Sequence, residues 1–186
     1  MKRTLMAAAA SLLLATTACS QHAARTDANE SDGIAVAYFS ATGTTERVAK
    51  EIASVTGGRL IAIKPAQPYT AADLDWHDST SRSSVEMNDP KARPAIATDS
   101  AGLDGCDTLL LGYPIWWNQA PRVVNTFIES ADLTGVVVIP FATSGGSGIA
   151  NSVDGLRTAY PGIDIRDGHL LNGRITRETI TNLLKD

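Results

Sequence analysis

Two stretches limit the fold most: "DTLLLGYP", residues 107–114, and "GVVVIPFAT", residues 135–143. Each is a nearly continuous apolar run of strand-forming residues. A strand with one wet face would alternate, whereas an unbroken run fits a parallel sheet covered by helices on both faces. The neighbouring segments supply those helices. "IAVAYFS" (34–40) reads as a strand, and "TTERVAKEIASVTGG" (44–58) puts Val48, Ala49, Ile52 and Val55 at helical spacing before a Gly-Gly stop. "RLIAIKP" (59–65) is a further strand, and "RVVNTFIESADL" (122–133) and "SGIANSVDGLRTAY" (147–160) are helices. "GIDIRDGHLL" (162–171) contains a weaker fifth strand, and "TRETITNLLKD" closes as a helix. The order predicts an open, doubly wound α/β fold: a five-stranded parallel sheet with helices on both faces. Residues 67–103 carry no clear period. One helix is expected there, around Leu74 to Met87, with Pro90 and Pro94 excluding helix beyond it.

This domain occupies residues 33–186. Ahead of it, Lys2 and Arg3 precede "TLMAAAASLLLA" and the small residues "TTAC", so residues 1–18 read as an export signal whose apolar run is too short to span a membrane stably. Ending at Cys19, the signal resembles that of bacterial lipoproteins, which implies an acylated Cys19 and a membrane anchor. Thr16 stands where such signals favour Leu, and an ordinary secretory signal cut near Ala18 is the rival reading. Residues 19–32 are polar and lack large aliphatic side chains, as a flexible tether would. The formal charge is -4, and loss of Lys2 and Arg3 would make it -4 - 2 = -6. A mildly acidic domain is a poor partner for nucleic acid. Cys19 and Cys106 imply no disulfide framework, and His22, His77 and His169 have no metal-ligand spacing, so no metal is expected.

The richest chemistry lies in "SATGTT", residues 40–45, between the first strand and the first helix. In open parallel sheets ligands bind outside the carboxyl ends of the strands, and a helix N-terminus there favours an anion. Gly43 permits a tight turn, and Ser40, Thr42 and Thr45 offer O–H donors without a positive charge, which suits a phosphate monoester. Any one hydroxyl alone would more simply cap the helix. Other phosphate and nucleophile motifs fail on spacing. No Lys follows Gly43 before Lys50, Asn151 stands where a dinucleotide fingerprint needs its last Gly, and Ile149 breaks a serine-hydrolase elbow around Ser147.

"SATGTT" matches S/T-x-T-G-x-T, and the domain resembles the flavodoxin-like family. The resemblance implies bound FMN, its phosphate held by Ser40, Thr42, Gly43, Thr44 and Thr45. It makes "GYPIWWNQAP" the second flavin loop, with Pro114, Ile115, Trp116, Trp117 and Asn118, and "ATSGGSG" the third, with Thr143, Ser144, Gly145, Gly146 and Gly148. Two flat indoles suit a flavin ring, one of them being expected in the core and Trp116 being the first choice for the ring contact. A Gly-rich loop lets main chain approach a flavin edge, although alone it would read as a mobile segment. The third loop lacks the Tyr that many flavodoxins stack on the outer flavin face and looks more like the quinone-reductase-like branch. The implied function is an FMN-dependent redox protein acting on quinone-like acceptors. The alternatives are an exported one-electron carrier serving protein partners and a non-redox module for another phosphate ligand. The residues name no catalytic acid or base; Tyr113 and Asn118 are candidates only by position. Electrons would come from a small-molecule or protein donor outside the cytoplasm.

Overall fold

The computed structural model describes residues 33–98 and 100–185; Cys19, the signal and the tether lie outside them. The strands are β1 (Ile34–Tyr38), β2 (Arg59–Ala62), β3 (Thr108–Pro114), β4 (Val137–Thr143), β5 (Asp164–Ile165) and β6 (His169–Leu170). The helices are α1 (Thr44–Thr56), α2 (Arg82–Asn88), α3 (Arg122–Ser130), α4 (Ala150–Ala159) and α5 (Arg177–Leu183). All strand pairs are parallel, in the order β2-β1-β3-β4-β5, with β6 also on β4. The expected doubly wound sheet is therefore present, and strand order reverses between β1 and β3.

Burial explains the unbroken apolar runs. Leu109, Leu111 and Tyr113 of β3 belong to one core layer with Val123, Phe127 and Leu156, while Leu110 points into the other with Val48, Ile52, Ile180 and Leu183. Successive side chains of a strand face opposite ways, so two covered faces demand apolar residues at every position. Gly112 interrupts the run for a packing reason: a Cβ there would lie 2.2 Å from the Phe141 ring.

The fifth strand differs from expectation, because it is broken into β5 and β6. Val138 pairs with Ile165 but Phe141 with His169, so Arg166, Asp167 and Gly168 lie against only Ile139 and Pro140. That is a one-residue bulge. Val138 and Ala142 accept the Arg166 and Leu171 N–H groups at 2.8 and 2.7 Å, which puts Pro140 on the same side of β4. Proline has no N–H for the ladder there, and the edge bulges where that donor is missing.

The helix expected around Leu74 to Met87 is corrected too. Ala72–Leu74 form a 3-10 turn, and α2 begins only at Arg82, capped by Ser81. Between them Asp75 accepts the His77 N–H (3.0 Å) and Asp78 the Thr80 N–H (2.8 Å), local bonds that compete with a continuous helix. This excursion is tied at its base, where Pro65 pairs with Ile96 and Thr98 Oγ1 accepts the Lys64 N–H at 2.6 Å. Among the described residues no helix is long and apolar enough to cross a membrane.

Candidate functional site

The carboxyl ends of β1, β3 and β4 open on a crevice of about 760 Å³. Ser40, Thr42, Thr44 and Thr45 line it from the first loop. Pro114, Ile115, Trp116 and Trp117 come from the second, and Thr143, Ser144 and Gly145 from the third. Four predicted residues lie outside this lining. Gly43 forms the turn behind the first wall, Gly146 and Gly148 continue the third loop, and Asn118 faces a separate hollow beyond Trp117.

The first loop is shaped by Gly43, whose φ of 86° is left-handed and open to glycine without cost. Its N–H donates to Ser40 Oγ at 3.1 Å, which holds the turn. No side chain caps α1, nor α3 or α4, whereas Ser81 caps α2 and Thr176 caps α5. A 13-residue helix thus presents an uncapped N-terminus beside a cluster of hydroxyls. Thr42 and Thr44 are exposed at the rim. Thr45 is buried, and its hydroxyl is hydrogen-bonded at 2.9 Å to that of Thr143, also buried, which ties the first loop to the third.

The second loop is a tight turn in which Trp116 and Gln119 exchange N–H···O bonds of 3.0 and 2.9 Å. Its two central residues, Trp117 and Asn118, have φ of 46° and 59°. Asn tolerates that conformation, but a left-handed Trp costs about 1–2 kcal/mol. The two indoles have different surroundings. Trp116 packs edge-on against Phe39 and Tyr69, ring centroids 5.5 and 5.3 Å away. Trp117 is 43% exposed. Trp116, the first choice from sequence, is the one tied into the core edge, and Trp117 has the freer ring.

The third loop is anchored rather than loose. Ser144 N–H donates to Asn172 Oδ1 at 3.0 Å, Asn172 Nδ2 donates to the Ser144 carbonyl at 2.9 Å, and Ser144 Oγ accepts the Gly146 and Ser147 N–H groups. Side chains at 145, 146 or 148 would meet nothing within 4 Å, so the loop edge is bare.

Tyr113 is not at the crevice. It lies fully buried beneath it with its hydroxyl 3.1 Å from Ser152 Oγ, and burial pushes its pKa up to about 12. Besides Ala41 within the first loop, sequence reasoning missed Asn172, just past β6, and Leu74, Trp76 and Ser83, which reach the crevice from the excursion after β2. The strand-end rule would have found Asn172; no pattern marks the other three. None of the lining residues is charged.

The flavodoxin family model matches residues 33–186. The chain belongs to the flavodoxin family. Two solved structures are similar over nearly their whole length. A candidate flavoprotein from Bacteroides eggerthii DSM 20697 is 54% identical, with a TM-score of 0.80, over 82% of this chain and 96% of that one. Another from Bacteroides uniformis ATCC 8492 is 56% identical, with a TM-score of 0.77, over 83% of this chain and 98% of that one. A flavoprotein from Lactobacillus acidophilus NCFM, solved in complex with FMN, is 20% identical with a TM-score of 0.61, covering 75% and 93% of the two chains, and shares the fold. No protein of curated function matches.

FMN is the cofactor of this flavodoxin, and the crevice suits it. An uncapped helix end with neutral hydroxyls fits a phosphate monoester, the Trp117 ring offers a flat apolar face, and the bare Gly loop admits a ring edge.

Proposed function

We propose that this flavodoxin is an FMN-dependent oxidoreductase that reduces quinone-like acceptors. One observation carries the reading: beyond the phosphate loop the crevice is uncharged, walled by indoles and bare at Gly145, which leaves room for a flat apolar ring. The cofactor supplies the redox chemistry. The α1 N-terminus, with Ser40, Thr42 and Thr44, holds the phosphate end, and the turn at Trp117 orients the ring end. A quinone takes two electrons and two protons to become a hydroquinone. One of the protons arrives with the electron pair, as a hydride, and with no ionisable side chain in the wall the second comes from water at the open mouth. Export follows from the N-terminal signal, with a lipid anchor at Cys19, and the electrons then come from a membrane quinol or a protein partner rather than a cytoplasmic nicotinamide.

The test is to load the protein with FMN, reduce it anaerobically with dithionite, and mix it with benzoquinone or menadione. Rapid stoichiometric formation of the hydroquinone is expected. No reaction with either quinone, alongside fast transfer to a one-electron protein acceptor, would make it an electron carrier instead. For the address, mass spectrometry of membrane-extracted protein is expected to show a diacylglyceryl group on Cys19; a mature chain beginning at Ser20 or later refutes the anchor.

A further inference from the structure

Trp76 is 67% exposed, more than any other large apolar side chain described. A single exposed indole is ordinary on a protein surface. This one, however, lines the same crevice as Trp117 and reaches it from a separate segment, the excursion after β2. It is held in place there. Asp73 accepts the Thr70 N–H at 2.8 Å before it, and the Asp75–His77 and Asp78–Thr80 bonds flank it. Further on, Arg82 is bonded to Glu86 (2.6 Å) and to the Gln67 carbonyl (2.7 Å), which fastens the two ends of the loop together. The His77 imidazole stacks against the indole, centroids 3.5 Å apart and planes tilted by 34°. One face of Trp76 is therefore covered and the other is free.

Resting on the quinone-reduction reading, we infer that Trp76 is the specificity residue for the acceptor: with Trp117 it grips a flat, uncharged aromatic or quinoid ring. The phosphate loop and the turn at Trp117 already account for the two ends of the cofactor. The third loop has no side chain to cover a ring, as residues 145, 146 and 148 are all glycine with open space around them. A flat ring seated over that side finds a second stacking partner, beside Trp117, in the excursion. The uncharged lining disfavours ionic acceptors, which would lose hydration without gaining a counter-charge.

The test uses oxidised, FMN-loaded protein, to which menadione binds without turnover, so calorimetry reads affinity alone. Trp76→Ala is expected to weaken menadione binding at least tenfold, Trp76→Phe to keep it within threefold, and both to keep FMN affinity, titrated on apoprotein, within threefold. Unchanged menadione affinity in Trp76→Ala would overturn the inference. So would a tenfold loss of FMN affinity, which would make Trp76 a cofactor contact. Wild-type protein that binds FMN but not menadione refutes this inference, and loss of quinone reduction in the wild type refutes the reading beneath it.

Discussion

The hydroxyls of Thr45 and Thr143 are buried, 2.9 Å apart, and join the loops after β1 and β4. Changing either residue to Val removes one partner and leaves the other hydroxyl buried without its bond. An orphaned buried hydroxyl costs about 1–3 kcal/mol, whereas replacing both partners by apolar groups of the same shape is nearly neutral. For a domain of this size 1 kcal/mol shifts Tm by about 2–4 °C, so each single variant is expected to melt about 2–12 °C lower. The double variant is expected to recover most of that loss, so the coupling approaches the sum of the two single losses, about 2–6 kcal/mol. Melting by circular dichroism without added FMN is the assay, because bound ligand would mask differences by mass action. Strictly additive losses in the double variant would refute the reasoning, since the two hydroxyls would then be satisfied by other groups.

Thr42→Ala is expected to weaken FMN binding by about 1–3 kcal/mol in a fluorescence titration, with riboflavin binding far more weakly than FMN to the wild type. FMN affinity is expected to be flat above pH 7 and to fall as pH drops through about 6, where a phosphate dianion takes up one proton and becomes a monoanion; the lining holds no charged side chain, and a calorimetric pH series checks it. Gly112→Ala is expected to lower stability by about 1–3 kcal/mol in urea melts, because its Cβ would lie 2.2 Å from Phe141 and overpack the sheet.

What could be read from the sequence followed from physical period. β3 and β4 are apolar at every position because helices cover both faces, so the runs announce the parallel sheet. The three loops were findable because topology places ligands at strand ends. The break between β5 and β6 was hidden, since pairs of two residues carry no period and the bulge depends on Pro140 in another strand. The excursion was misread as one helix because its polar residues bond their own backbone. Trp76 went unnoticed for the same reason: nothing local marks a residue that matters only where the chain returns to the crevice.

Two local costs in this domain lie at the crevice. Trp117 holds a left-handed backbone at about 1–2 kcal/mol, and α1 begins on Gly43 without a side-chain cap, a loss of about a few tenths of a kcal/mol against Ser or Thr. Gly at position 117 would relieve the strained turn, whereas at position 43 the left-handed backbone (φ 86°) favours glycine, so α1 stays without a side-chain cap. Each also has a use only when a ligand is present, since a capped helix end would compete with the phosphate and a Gly in the turn would give up the ring face. Stability is supplied instead by the two apolar layers far from the crevice, where Val123, Phe127, Ile52 and Ile180 are fully buried. Tight FMN binding adds further stability in proportion to the logarithm of its concentration over Kd, about 2.7 kcal/mol at a hundredfold excess, an amount comparable to the local costs. The burial that holds the fold thus lies in the two cores, and the crevice can remain shaped for its ligand rather than for its own stability.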